Sequence, residues 1–68
     1  MKMEANEKKV EAVLFAVGRE ITSERIASLC SLEIPAVEEI LLKLNSIYQE
    51  KDSCLKIIRK ENGWKLTV

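Results

Sequence analysis

Six consecutive apolar residues, Ala12 to Val17, interrupt a heavily charged N-terminal half, and Gly18 stops them. Upstream, Glu7, Lys8, Lys9, Val10 and Glu11 read as solvated helix, so the run is that helix's C-terminal end. Val10, Val13, Leu14 and Val17 fall at the i, i+3, i+4, i+7 spacing of one core-facing stripe. Phe15 does not. At roughly 100° per residue it stands near the opposite side, beside Lys8 and Glu11. A helix apolar on both sides must be covered on both, by its own chain or by a partner. This helix is therefore expected to be the central post of the fold.

The rest of the chain supplies the cover. Asn6 is a plausible N-cap, helix 1 runs from about Glu7 to Val17, and Gly18 provides the left-handed residue that ends it. Arg19-Glu20-Ile21 is a short extended link. Thr22 then caps helix 2, with Ile21 and Ile26 placed as a hydrophobic staple. Ile26, Leu29 and Cys30, with small Ala27, give helix 2 a short inward face. Ser31 to Ile34 is a tight turn lacking the glycine often found in a helix-turn-helix. Pro35 is expected to open helix 3, which runs to about Gln49. Its core stripe is Val37, Ile40, Leu41, Leu44, Ile47 and Tyr48, and Leu42 falls on the far side among polar residues.

Lys51-Asp52-Ser53 breaks that helix. Cys54 to Lys60 and Trp64 to Val68 read as strands, and Asn62-Gly63 between them is a short-range hairpin signal, since both residues tolerate positive φ. In the second strand Trp64, Leu66 and Val68 face the helices, while Lys65 and Thr67 face water. Three helices followed by a two-stranded hairpin make an α+β winged helix-turn-helix, with the hairpin as wing.

Length and composition narrow the possibilities. Sixty-eight residues, 47% apolar and 32% charged, make one small globular domain over 1–68, with residues 1–6 a frayed lead-in. A domain this short buries only about 60% of its unfolded surface, so a partner surface would help it. Net charge is zero, but it is unevenly spread. Residues 33–50 hold four acids against Lys43, and residues 51–68 hold five cations against two acids. The longest apolar run is six residues, too short for a membrane span, and charges break any signal-peptide core. A cytoplasmic protein is expected. Cys30 and Cys54 form no CxxC pair and the chain has no histidine, so two reduced, buried thiols are expected and no metal.

Read this far, the chain resembles the segregation and condensation protein B family. The resemblance lies in the stretch Val10 to Thr22, a helix ending in Phe15-Ala16-Val17-Gly18 and then Ile21. It continues in Ile26-Ala27-x-Leu29, in Val37-Glu38-Glu39-Ile40-Leu41-x-x-Leu44, and in Gly63-Trp64-Lys65-Leu66. It covers nearly everything from Val10 to Val68, and it rests on the order and spacing of all four stretches. The family carries two winged-helix domains in tandem, and this chain holds only the first. The resemblance implies a non-enzymatic role. Family members dimerise and grip the kleisin, the segregation and condensation protein A subunit, and through it the SMC ATPase of a nucleoid-associated complex for chromosome segregation and condensation.

The residues themselves offer no catalytic constellation. There is no nucleophile elbow or phosphate loop, and Glu38 and Glu39 are adjacent on a helix and cannot converge on a substrate. Neither a cofactor nor a small-molecule ligand is expected. A DNA-binding transcriptional regulator is the alternative, because winged helices often read DNA. Its major-groove helix would bring Arg, Lys, Asn or Gln to base edges, whereas here Glu33, Glu38 and Glu39 stand there. Lys56, Arg59, Lys60 and Lys65 of the wing are the candidate DNA-backbone contacts, giving at most weak nonspecific binding; otherwise they are solvated lysines and arginine on an edge hairpin. Phe15, Leu42 and Tyr48 are the candidate protein-interface residues. Against them stand burial of Phe15 beneath the hairpin, an isolated surface position for Leu42, and for Tyr48 a buried ring with its hydroxyl at the surface.

Overall fold

The hairpin does not lean on the helices alone; it recruits the link between the first two of them. In a computed structural model describing residues 4–61 and 63–68, the order is α1 (Ala5–Val17), α2 (Ser23–Cys30), α3 (Ile34–Glu50), β1 (Lys56–Lys60) and β2 (Gly63–Thr67). The strands pair antiparallel, with Lys56 opposite Thr67, Ile57 opposite Leu66 and Lys60 opposite Gly63. On the other edge of β2, Ile21 exchanges two backbone hydrogen bonds with Trp64, at 2.9 and 2.7 Å. The extended link thus becomes a third, one-residue strand.

The core lies between the helices and under the sheet. Val10, Leu14, Ile26, Val37, Leu41 and Leu44 are completely or almost completely buried, and Ala27, Cys30, Tyr48, Ile57 and Trp64 close around them. The stripes read from periodicity hold on α1 and α3, with Val13, Val17 and Ile40 half-buried at the margins. Leu29 departs from expectation and is exposed. On α2, Ile26, Cys30, Ser23 and Ala27 fill one contiguous arc of the helix, and Leu29 lies outside it.

Caps explain most boundary differences. Helix α1 starts earlier than expected, with Glu4 rather than Asn6 as N-cap, because Glu4 and Glu7 form a reciprocal capping box. Gly18 ends it at φ 66°, and Thr22 caps α2 by accepting from the Arg25 N–H at 3.1 Å. The glycine missing from the following turn is replaced by Ser31, itself left-handed at φ 57°. Helix α3 begins one residue before Pro35, whose missing N–H falls among donors that have no helical partner anyway.

Asparagine 45 of α3 fastens β1 from the side. Its amide donates to the Ile57 carbonyl at 2.9 Å and accepts the Ile57 N–H at 2.7 Å. At the hairpin, Gly63 is not a turn residue but the first residue of β2, and residue 62 lies outside the described residues. Val68 sits beyond the last strand pair and is exposed rather than buried against the helices. Cys30 is buried as expected, whereas Cys54, in the irregular segment before β1, is exposed.

Gly63 has φ 128°, and a Cβ there would lie 2.2 Å from the Ile21 carbonyl oxygen, which is backbone and cannot step aside. Gly18 also has positive φ, but nothing stands within 4 Å of its missing Cβ. Gly63→Ala is expected to cost about 3 kcal/mol or more and Gly18→Ala about 1 kcal/mol. Urea midpoints of the two variants check this, and equal losses would contradict the close approach at Ile21.

Candidate interaction surfaces

The two long helices are clasped by polar groups on the stripe of α1 that the sequence marks as solvated. Glu7 is 3% exposed. Its carboxylate accepts the Glu4 N–H at 2.9 Å and pairs with the Lys43 ammonium at 2.8 Å. One turn on, the Tyr48 hydroxyl donates to the Glu11 carboxylate. The Lys43 hydrogen bond, with the Glu4 N–H, holds the Glu7 carboxyl below the usual range against the opposing effect of burial. Lys43 is shifted up by the same contact. Burial, reinforced by Glu11, pushes the Tyr48 hydroxyl well above an ordinary phenol. Tyr48 is therefore a core residue whose hydroxyl is engaged by the half-buried Glu11 of the same chain.

That clasp locates Phe15. Glu7 meets Lys43 and Glu11 meets Tyr48, so the contact advances along both helices in the same sense. A further turn brings α1 to Phe15, but α3 ends at Glu50. Phe15 overruns the end of its neighbour and is 73% exposed, so burial beneath the hairpin does not occur. It borders an apolar groove floored by Leu14 and walled by Leu55, Leu66 and Val68. Leu55 and Leu66 are half-buried, and Val68 is 82% exposed.

Leu42 is 62% exposed, and it lines a different hollow, among Asn6, Ala36, Glu39 and Lys43. The three residues read as interface candidates are thus not one patch: Phe15 heads an apolar groove, Leu42 lines a separate hollow of mixed polar and apolar groups, and Tyr48 is buried. Leu55 and Val68 complete the groove, although both lie outside the paired strands.

The wing's cations separate as well. Arg59 shares a face with its partner Trp64 and stacks over the indole at 5.5 Å from the ring centroid. Lys56, Lys60 and Lys65 lie on the opposite face. Trp64 is pinned further by its indole N–H, which donates to Ser23 Oγ at 2.9 Å, and Ser23 Oγ in turn donates to Glu38 at 3.4 Å. Trp64 is a lid on the core, as its alternation predicts. Among the described residues no group of three or more His, Cys, Asp or Glu is arranged to hold a metal, and no helix is long and apolar enough to cross a membrane.

The sequence model of the family described as segregation and condensation complex subunit ScpB matches residues 8–68. The chain belongs to this family. Similar ScpB proteins include that of Desulforamulus reducens, 28% identical over 57 residues, which are 84% of this chain and 32% of the relative. The ScpB of Lachnoclostridium phytofermentans is 27% identical over 66 residues, 97% of this chain and 35% of the relative. The chain therefore spans about a third of the curated ScpB proteins it matches. The crystal structure of ScpB from Mycobacterium tuberculosis superposes on the whole chain with a TM-score of 0.85 at 17% identity, using 44% of that protein. A dimer of ScpB N-terminal domain complexed with ScpA peptide matches 98% of this chain and 81% of that one, with TM-score 0.85 and 16% identity. Both likenesses establish the winged-helix fold.

The Glu7 clasp makes acid stability sensitive to one carboxylate. Because Glu7 is held below its unfolded value of about 4.3, its contribution is fully present above that pH and is lost as pH falls through the lower folded value. In thermal melts between about pH 6 and pH 2.5, Glu7→Gln is expected to be less stable than wild type at pH 6 and to show a shallower acid decline. Parallel declines would show that Glu7 titrates normally.

Proposed function

We propose that this domain is a non-enzymatic interaction module of a chromosome segregation and condensation protein. It self-associates through the Phe15 groove and supports binding of a kleisin subunit, and through that subunit an SMC ATPase. The observation that carries the reading is the exposed Phe15 at the head of a groove walled by Leu55, Leu66 and Val68, in a chain of the ScpB family. Soluble domains rarely leave a large aromatic and a contiguous apolar rim to water without a partner. The solved dimer of ScpB N-terminal domain with ScpA peptide supports both associations by likeness. In this reading the chain is the first of two winged-helix domains of a cytoplasmic, nucleoid-associated protein.

A transcriptional regulator is the weaker reading. Glu33 and Glu39 are exposed at the start of α3, and Glu38 is engaged by Ser23. Residues 33–42 themselves supply no lysine or arginine to meet base edges.

Phe15→Glu tests the self-association. It places a carboxylate in the groove and is expected to weaken the dimer by about 100-fold, the cost of a central interface residue. Its melting temperature should move by only about 2–4 °C, as for a surface position. Leu42→Glu, on the other hollow, is expected to leave the dimer intact and to lower capture of a kleisin peptide. Light scattering and peptide pull-down read the two, and a Phe15→Glu variant that dimerises like wild type would remove the groove from the proposal.

A further inference from the structure

The strand register gives the wing two unlike faces. Cross-strand partners share a face and neighbours alternate, so Ile57, Leu66, Arg59 and Trp64 turn toward the helices. The outer face carries Lys56, Ile58 and Lys60 from β1 and Lys65 and Thr67 from β2. Ile57 and Trp64 are buried, which fixes which face is outer. Lys65 stands opposite Ile58, midway between Lys56 and Lys60. With a rise of about 3.4 Å per residue, a lysine therefore recurs about every 7 Å along the ribbon. The strand residues of this face include no carboxylate; at the wing tip Lys60 borders a hollow that also holds Glu24, Glu38 and Glu61. The ion pair present among the described residues is Lys43 with Glu7, between α3 and α1, and involves none of the wing lysines.

We propose that this outer face of the wing binds the phosphate backbone of nucleic acid without reading its sequence. Lysines offer compact charges that satisfy phosphates but carry no base readout. Lysine is depleted in protein–protein interfaces, and the single half-buried Ile58 gives a protein partner little apolar area. The charge ledger agrees: residues 51–68 carry five cations and two acids, whereas the start of α3 carries Glu33, Glu38 and Glu39. Those carboxylates hold a backbone away from α3, so contact is made by the ribbon alone. Arg59 takes no part, because it is stacked on Trp64 on the inner face. The face adjoins the Phe15 groove at Thr67, which lines the groove and stands opposite Lys56, while Lys65 and Lys60 lie farther along the ribbon.

The test is fluorescence anisotropy of a labelled, random-sequence duplex titrated with this chain at about 50 and 200 mM salt. Three released counterions predict a slope of log affinity on log salt near −2.7, or about a 40-fold loss across that step. Two charge-matched triple variants separate site from net charge: Lys56→Gln with Lys60→Gln and Lys65→Gln, and Lys8→Gln with Lys9→Gln and Arg19→Gln. The wing variant is expected to lose about 10-fold or more at the lower salt, and the control to stay within about 2-fold. Melting curves of both triples confirm folding, since all six positions lie on the surface or half-buried margin. Equal losses in the two triples overturn the proposal, as does absence of duplex binding at the lower salt. Retention of polyglutamate or anionic vesicles without duplex binding overturns it too, and assigns the face to another class of partner.

Discussion

Everything in this fold hangs on the two backbone hydrogen bonds between Ile21 and Trp64. A two-stranded hairpin is marginal by itself in water, and three short helices leave one side of their core open. The bridge joins the two problems and solves both. It brings Trp64 over the core, where its indole N–H finds Ser23 and its ring carries Arg59. It also holds the start of α2 in place, because Thr22, the cap, follows Ile21 directly. Gly63 is what allows the approach, since any side chain there would collide with the Ile21 carbonyl.

The second constraint is polar and lies between α1 and α3. A buried carboxylate is costly unless it is paired and hydrogen-bonded. Glu7 has both a cation and a backbone donor, and the same side chain completes the α1 cap. One residue therefore sets the helix start and the register of the long helices. The register in turn decides where α3 stops relative to α1, and so leaves Phe15 without a neighbour. Surface and clasp have a common origin.

Much of this was legible in the residues. Apolar spacing located α1 and α3, Gly18 marked the end of α1 and Thr22 the start of α2, and alternation from Trp64 onward predicted the lid. Leu42 was read as outward and is outward. Glu7 was read as solvated because periodicity weighs a glutamate as polar whatever it meets, although the Glu4-x-x-Glu7 spacing held the signal of a capping box. Ser31 hid a left-handed turn behind a residue that seldom adopts one. The Phe15 groove was legible only in part, since it depends on where a helix in one part of the chain ends against another. Such a relation is tertiary, and no local pattern states it. For Val68 alternation gives the side, beside Leu14 and Phe15, but not its exposure, because alternation does not say where pairing stops.

The paired hydrogen bonds from Asn45 to Ile57 have a further meaning for the sheet as a whole. Ile57 lies opposite Leu66 with its own N–H and C=O turned away from β2, toward the free margin of the hairpin. A margin of that kind is a template on which another extended chain can add. The Asn45 amide presents one donor and one acceptor there, as a neighbouring strand would, but it belongs to a helix and cannot be extended. With Ile21 occupying the opposite margin at Trp64, the sheet is stoppered on both sides. Edge-to-edge addition of another extended chain, the route by which open sheets zip into fibres, is therefore obstructed at Ile57 on one margin and at Trp64 on the other.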